Sequence, residues 1–237
     1  MNTSQQSVAI ITGASSGIGL GLTQALLERA WRVVGTSRTI SKSKELKPSP
    51  DLVLVDGEVS KKGTAVKVVE AALKHFGRID LLVNNAGIFI PKAFTDYTEE
   101  DYNLLMNTNV ASFFYMSQQM IPQMKKQNSG HVVNISGQPN SAAPAVLAVL
   151  SKSPMPAVSK ALALEYAANN IRFNTVSPGI INTPMYSKEN HSELAKFHPL
   201  ARMGEVSDIV DAVLYLQNAT FVTGENIRVD GGVHAGR

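Results

Sequence analysis

Between residues 12 and 19 the chain reads Thr12-Gly13-Ala14-Ser15-Ser16-Gly17-Ile18-Gly19, and here residue types and spacing first point to chemistry. Glycines let a backbone turn tightly and approach a pyrophosphate closely. The first turn of a helix adds unpaired N–H groups and the positive end of its dipole. The apolar run Val8-Ala9-Ile10-Ile11 precedes the loop, and Ile18, Leu22, Ala25 and Leu26 follow it on one helix face. The loop therefore joins a strand to a helix, where a phosphate site is expected and a merely structural turn is not. Gly13, Ser15, Ser16, Gly17, Ile18 and Gly19 are its candidate contacts.

A second candidate lies at the end of the next strand, which reads Thr36-Ser37-Arg38-Thr39. A carboxylate there would bind both ribose hydroxyls of an adenosine and repel a 2′-phosphate. None is present. Arg38 can pair with a phosphate and Ser37 can hydrogen-bond it, which favours NADP(H) while NAD(H) stays open. The competing reading of Arg38 is an ordinary solvated arginine.

The elements that must position these residues alternate along the whole chain. Arg32–Gly35, Leu52–Val55, Leu81–Val83, His131–Ile135, Arg172–Val176 and Ile227–Val229 read as strands after the first. Val66, Val69, Leu73 and Phe76 give one helix stripe. Leu105, Asn109, Phe113, Met116 and Met120 give another, on a helix from about Asp101 to Met124. A helix from about Ala148 to Asn169 follows, and a last one carries Ile209, Val213 and Leu216. Strands interleaved with helices predict an α/β fold: one doubly wound, Rossmann-type domain over residues 1–237, with a seven-stranded parallel sheet covered on both faces. The polar segment from Ile180 to Glu205 breaks the rhythm. It reads either as a lid over the carboxyl ends of the strands or as a surface excursion.

Composition narrows the function classes. Of the 237 residues, 44% are hydrophobic and 17% charged, and the net charge is +3. That is the make-up of a globular protein. Lys42, Lys44 and Lys47, interrupted by Glu45, suit a solvated loop better than a nucleic-acid surface. Absence of cysteine excludes disulfides and thiolate chemistry, and no metal site is expected. The polar start, Met1 to Ser7, is unlike a signal peptide, and no apolar run nears the roughly 20 residues that span a bilayer. A cytoplasmic protein without membrane or nucleic-acid partners is the expectation.

The glycine spacing is TGxxxGxG rather than GxGxxG, and it resembles the short-chain dehydrogenase/reductase family. The likeness covers essentially the whole chain. Asn84-Asn85-Ala86-Gly87 is similar to the family's NNAG motif beside the adenosine half of the cofactor. Ser177-Pro178-Gly179, with Ile181 and Thr183 following, looks like its PG motif at the nicotinamide carboxamide. Thr223-Gly224-Glu225 and Val229-Asp230-Gly231-Gly232 resemble its C-terminal signature. Glu58-Val59 stands where the family commonly has Asp against the adenine, so Glu58 either reaches the same amino group or faces solvent.

The resemblance also implies a Tyr-x-x-x-Lys pair, a polarising serine and an asparagine that helps to hold a relay water. Lys152 precedes Pro178 by 26 residues, the family's usual separation, whereas Lys160 stands too close. Four residues before Lys152, however, is Ala148, and Ala145 to Ser159 contains no Tyr, His, Asp or Glu. Ser136 is the remaining serine, because Gly137 fills the second serine place; it reads equally as a polarising group or a plain strand end. Asn109 fits the helix asparagine. Three functions follow. The first is an oxidoreductase moving hydride between NADP(H) or NAD(H) and a small carbonyl or alcohol, its proton coming from water or from Tyr186, His191 or His198. The second is a lyase or isomerase on the same fold. The third is a cofactor-binding sensor or oligomer partner. Family likeness further implies a homo-oligomer, tetramer or dimer, through the helices carrying Phe113/Phe114 and Leu162/Leu164.

Overall fold

The structure, a computed structural model, describes residues 6–137 and 145–236; the polar start at Met1 to Gln5 lies outside them. Strands β1 (Val8–Thr12), β2 (Arg32–Ser37), β3 (Leu52–Asp56), β4 (Leu81–Asn84), β5 (Gly130–Ile135), β6 (Ile171–Pro178) and β7 (Asn226–Val229) form one sheet of order β3-β2-β1-β4-β5-β6-β7. Every neighbouring pair is parallel. Strand residues alternate between two cores. Ala9, Ile11, Val33 and Val83 face α1 (Gly17–Leu27) and α8 (Val206–Asn218), while Val8, Ile10, Val34 and Leu82 face the opposite layer. That layer holds α2 (Lys62–Phe76), α4 (Ser112–Gln127) and α6 (Met155–Tyr166).

Strand order reverses between β1 and β4, and in open parallel sheets ligands bind beyond the carboxyl ends of strands at this switch point. The loops after β1 and β4 are tied together there. Thr12 Oγ1 accepts the N–H groups of Asn85 and Ala86, both at 2.9 Å, and Asn85 Nδ2 donates to the Thr12 carbonyl at 2.9 Å. Beneath them a buried polar chain crosses the sheet. Asn84 Nδ2 donates to Asn134 Oδ1 (2.9 Å), Asn134 Nδ2 donates to Ser159 Oγ (2.8 Å), and Ser159 meets Thr175 Oγ1 (2.8 Å).

Three helices differ from the sequence expectation. The buried stripe of α2 is Ala65, Val68, Ala72 and Phe76, whereas Val66, Val69 and Leu73 are only partly covered. The expected long helix starts at Glu99 and ends at Gln127, with Leu105, Asn109, Phe113, Met116 and Met120 buried as anticipated. It is α3 (Glu99–Met106) continued into α4 through a wide π-turn over Asn107–Ala111, a bulge of the kind that accumulates at functional sites. The third helix is divided into α5 (Val146–Lys152) and α6 near Pro154, whose ring nitrogen cannot donate to the carbonyl one turn back.

Candidate functional site

A cleft of about 540 Å³ opens at the switch point, within the range of small-molecule and cofactor sites. All the expected cofactor and catalytic residues line it except Gly19 and Asn109, which stand just behind. Gly17 has φ +53°, and a side chain on it would meet Thr183 at 3.2 Å. A Cβ on Gly19 would lie 2.3 Å from the Gly13 carbonyl oxygen, so the start of α1 packs directly on its own loop. The first turn of α1 carries no acidic residue, and Ser16 makes no side-chain cap, which leaves the positive helix end free for an anion.

At one end of the cleft stand Ser37, Arg38, Glu58 and Val59. Arg38 is exposed and has no carboxylate partner among the described residues. Asp56, paired in register with Ser37, is instead hydrogen-bonded by Ser41, whose N–H and hydroxyl hold its carboxyl below the usual range. Glu58 accepts the Ser60 hydroxyl at 2.7 Å.

At the other end Lys152 and Asn109 converge on Gly87. A Cβ there would lie 3.2 Å from Asn109 Oδ1 and 3.3 Å from Lys152 Nζ. Asn109 is fully engaged: it accepts the Ile88 N–H at 2.9 Å and donates to the Ile88 carbonyl at 3.1 Å and to Ser151 Oγ at 2.9 Å. It clamps the β4–α3 connection against α5. Burial pushes the Lys152 pKa down from the ordinary lysine value, and no carboxylate among the described residues pairs with it. The Lys152 stem occupies the space beside Gly137, where a Cβ would meet its Cδ at 3.3 Å.

Ser136 lines the cleft, and its hydroxyl donates to the Lys152 carbonyl at 2.7 Å. The cause lies four residues beyond Lys152. A helix would satisfy that carbonyl from the N–H of residue 156, which is proline and has none. Ser136 supplies the missing donor.

The Ile180 to Glu205 excursion covers the cleft rather than wandering over the surface. Its root is stapled by Gly204 N–H to the Ile180 carbonyl (3.0 Å) and Asn182 N–H to the Gly204 carbonyl (2.8 Å), and it carries the short helix α7 (His191–Ala195). Of the three lid groups considered as acids, Tyr186 and His198 line the cleft, whereas His191 is not among the lining residues. His198 Nε2 accepts the Ile180 N–H at 3.0 Å, which puts the ring proton on Nδ1, a buried atom without a partner in the described structure. The ring lies against Gly179, where a Cβ would sit 2.7 Å from Nε2. Burial raises the Tyr186 pKa. Sequence reasoning missed the apolar wall formed by Phe89, Leu104, Val149, Met185, Leu194 and Phe197, since apolar residues read as core. The one available signal was Leu104, 51% exposed on an otherwise polar helix start.

A family model described as enoyl-(acyl carrier protein) reductase matches residues 13–234. The chain belongs to the short-chain dehydrogenase/reductase family. It is 33% identical to the 3-oxoacyl-[acyl-carrier-protein] reductase FabG of Thermotoga maritima, over 95% of this chain and 97% of the relative. It is 31% identical to an acetoacetyl-CoA reductase of Acinetobacter, over 98% of this chain and 99% of the relative. The solved structure of ElxO with NADP bound superposes with a TM-score of 0.89 at 27% identity, covering 98% of this chain and 100% of that one. Ala148, four residues before Lys152, is 5% exposed and lines the cleft.

Proposed function

We propose that this protein is an NADP(H)-dependent reductase of a carbonyl substrate whose proton comes from a group other than the family's tyrosine. The convergence of Lys152 Nζ and Asn109 Oδ1 on Gly87, facing the glycine loop across one cleft, carries this reading. A protein that recognised only adenosine would have no need of that end. The backbone of Gly13 to Ile18 and the start of α1 would hold the pyrophosphate, Arg38 and Ser37 the 2′-phosphate, and Lys152 the nicotinamide ribose. Pro178, Gly179, Ile181 and Thr183 would border the nicotinamide. When bound, the cofactor supplies the hydride.

Tyr186 is the proton donor that the cleft supports best. It is partly buried on the cleft wall, and its phenol is protonated at neutral pH, as an ordinary tyrosine is. His198 is already committed through Nε2 to the Ile180 N–H.

A second reading, cofactor binding without turnover, is favoured by Ala148 and by the commitment of the Ser136 hydroxyl to the Lys152 carbonyl. NADPH titration followed by turnover with acetoacetyl-CoA separates the two. The reductase reading expects tight NADPH binding, slow reduction, and a loss of about 10² to 10⁴ in kcat for Tyr186→Phe. Unchanged turnover in Tyr186→Phe assigns the proton to water beside Lys152. NADPH binding with no turnover, together with activity gained in Ala148→Tyr, supports the second reading.

Self-association is also part of the proposal. Phe114 on α4 is 51% exposed and Leu164 on α6 is 79% exposed, apolar surface that a second copy would cover.

A further inference from the structure

Charge is unevenly spread along the cleft. Arg38 and Glu58 stand at one end, and Lys152 stands beside Gly87 toward the other. Beyond them the wall is Phe89, Leu104, Val149, Met185, Leu194 and Phe197, and no Lys, Arg, Asp or Glu among the described residues joins that part of it. Its polar side chains, Thr108 and Tyr186, are neutral. Leu104, Met185 and Phe197 keep 51%, 51% and 42% of their surface exposed, so the apolar wall continues from the cleft to its mouth.

We infer that the substrate is a neutral carbonyl compound bearing an extended alkyl or aryl group that lies along Leu104, Met185 and Phe197. The inference rests on the carbonyl-reductase reading and names the substrate class for it. Apolar surface taken from water at this wall gains affinity with each methylene. A carboxylate or phosphate at the end of that group would instead lose its hydration against a wall with no cation among the described residues to pair with. Lys152 does not supply that cation, since its ammonium faces Gly87 and Asn109 on the cofactor side. The same chemistry is offered by a free ketone and by the acyl chain of a 3-oxoacyl thioester.

Calorimetric titration of the NADP⁺-loaded protein reads binding without turnover. From butan-2-one to nonan-2-one the affinity should rise about two- to fourfold per methylene, the upper value being full burial. Leu104→Gln and Phe197→Gln change exposed positions, so the fold should persist, and each should flatten the series. 5-Oxohexanoate, matched in length to hexan-2-one, should bind at least about tenfold more weakly. A flat ketone series joined by a flat series of S-(3-oxoacyl)-N-acetylcysteamine thioesters overturns the inference, as does 5-oxohexanoate binding as tightly as hexan-2-one. A slope confined to the thioesters upholds the apolar wall and makes its occupant an acyl thioester; a slope in the ketones makes it a free carbonyl compound. Chain-length-dependent binding without NADPH oxidation would leave the substrate class standing and remove the reductase reading. Turnover without chain-length dependence would do the reverse.

Discussion

Replacing Ser136 by alanine tests whether this serine positions Lys152 or polarises a substrate. Its hydroxyl is the donor for the Lys152 carbonyl, at 2.7 Å and in a side chain only 3% exposed, so water does not readily take its place. Leaving a buried carbonyl unsatisfied costs about 1–3 kcal/mol. The need arises because residue 156 is proline, so Pro156→Ala should give the helix its own donor and reduce the cost of Ser136→Ala to a few tenths of a kcal/mol. The comparison is a double-mutant cycle, with urea denaturation and NADPH titration on all four proteins. Whatever Pro156→Ala does to the unfolded chain is common to both of its proteins and cancels. A coupling energy of about 1–2 kcal/mol, with NADPH affinity restored in the double variant, is the expected outcome. Additive costs would refute the positioning argument. A polarising serine would instead lose kcat equally in both backgrounds.

Arg38→Ala should remove most of a preference for NADPH over NADH, lowering NADPH affinity about tenfold or more while leaving NADH unchanged; parallel fluorescence titrations measure both. His131, buried between Arg172 and Gln217, has its pKa lowered to about 3 by desolvation and then by the Arg172 charge, against 6.5 unfolded. The unfolded state therefore binds the proton first. Stability is full above pH 6.5 and falls as pH drops toward 3, by roughly 1.4 kcal/mol per unit once well below 6.5. Urea midpoints between pH 6.5 and 5, above the range where carboxylates titrate, should show this slope, and His131→Gln should flatten it. Light scattering at micromolar concentration should give a multiple of the 25.5 kDa chain mass, reduced by Phe114→Glu or Leu164→Glu; a single-chain mass in the unaltered protein would remove the self-association proposal.

The fold was legible because parallel strands buried on both faces are continuous apolar runs, as in Val8-Ala9-Ile10-Ile11, whose period needs no tertiary information. The glycine loop was legible for a similar reason: Gly17 and Gly19 are required by a positive φ and a 2.3 Å approach, demands that no other residue type meets as well. The apolar wall was not. Phe89, Met185 and Phe197 carry no chemistry in their types, and only their convergence makes a wall. Ser136 was ambiguous because its partner is a main-chain carbonyl orphaned by a proline twenty residues further on. The α2 stripe was misread in part: Phe76 is buried as expected and Val69 and Leu73 pack against the core, but Ala65, Val68 and Ala72 fill the rest of its buried face.

Lys152 poses a last question, since the residue one helical turn before it is Ala148. Burial disfavours its ammonium, and among the described residues no carboxylate offsets that cost. The folded state therefore binds this proton less readily than the unfolded chain, and at any pH well below the ordinary lysine value the lysine weakens the fold. A ligand that meets the ammonium would offset that cost. Lys152→Met keeps the apolar stem that packs beside Gly137 and removes the charge. Without cofactor the variant should melt at or above the temperature of the unaltered protein, while NADPH affinity falls about tenfold or more, the loss of a charge-assisted hydrogen bond. Thermal denaturation and NADPH titration on the same preparations separate the two effects. Lower stability with undiminished affinity would mean that Lys152 serves the fold, and the case for a nicotinamide at this end of the cleft would lose its support.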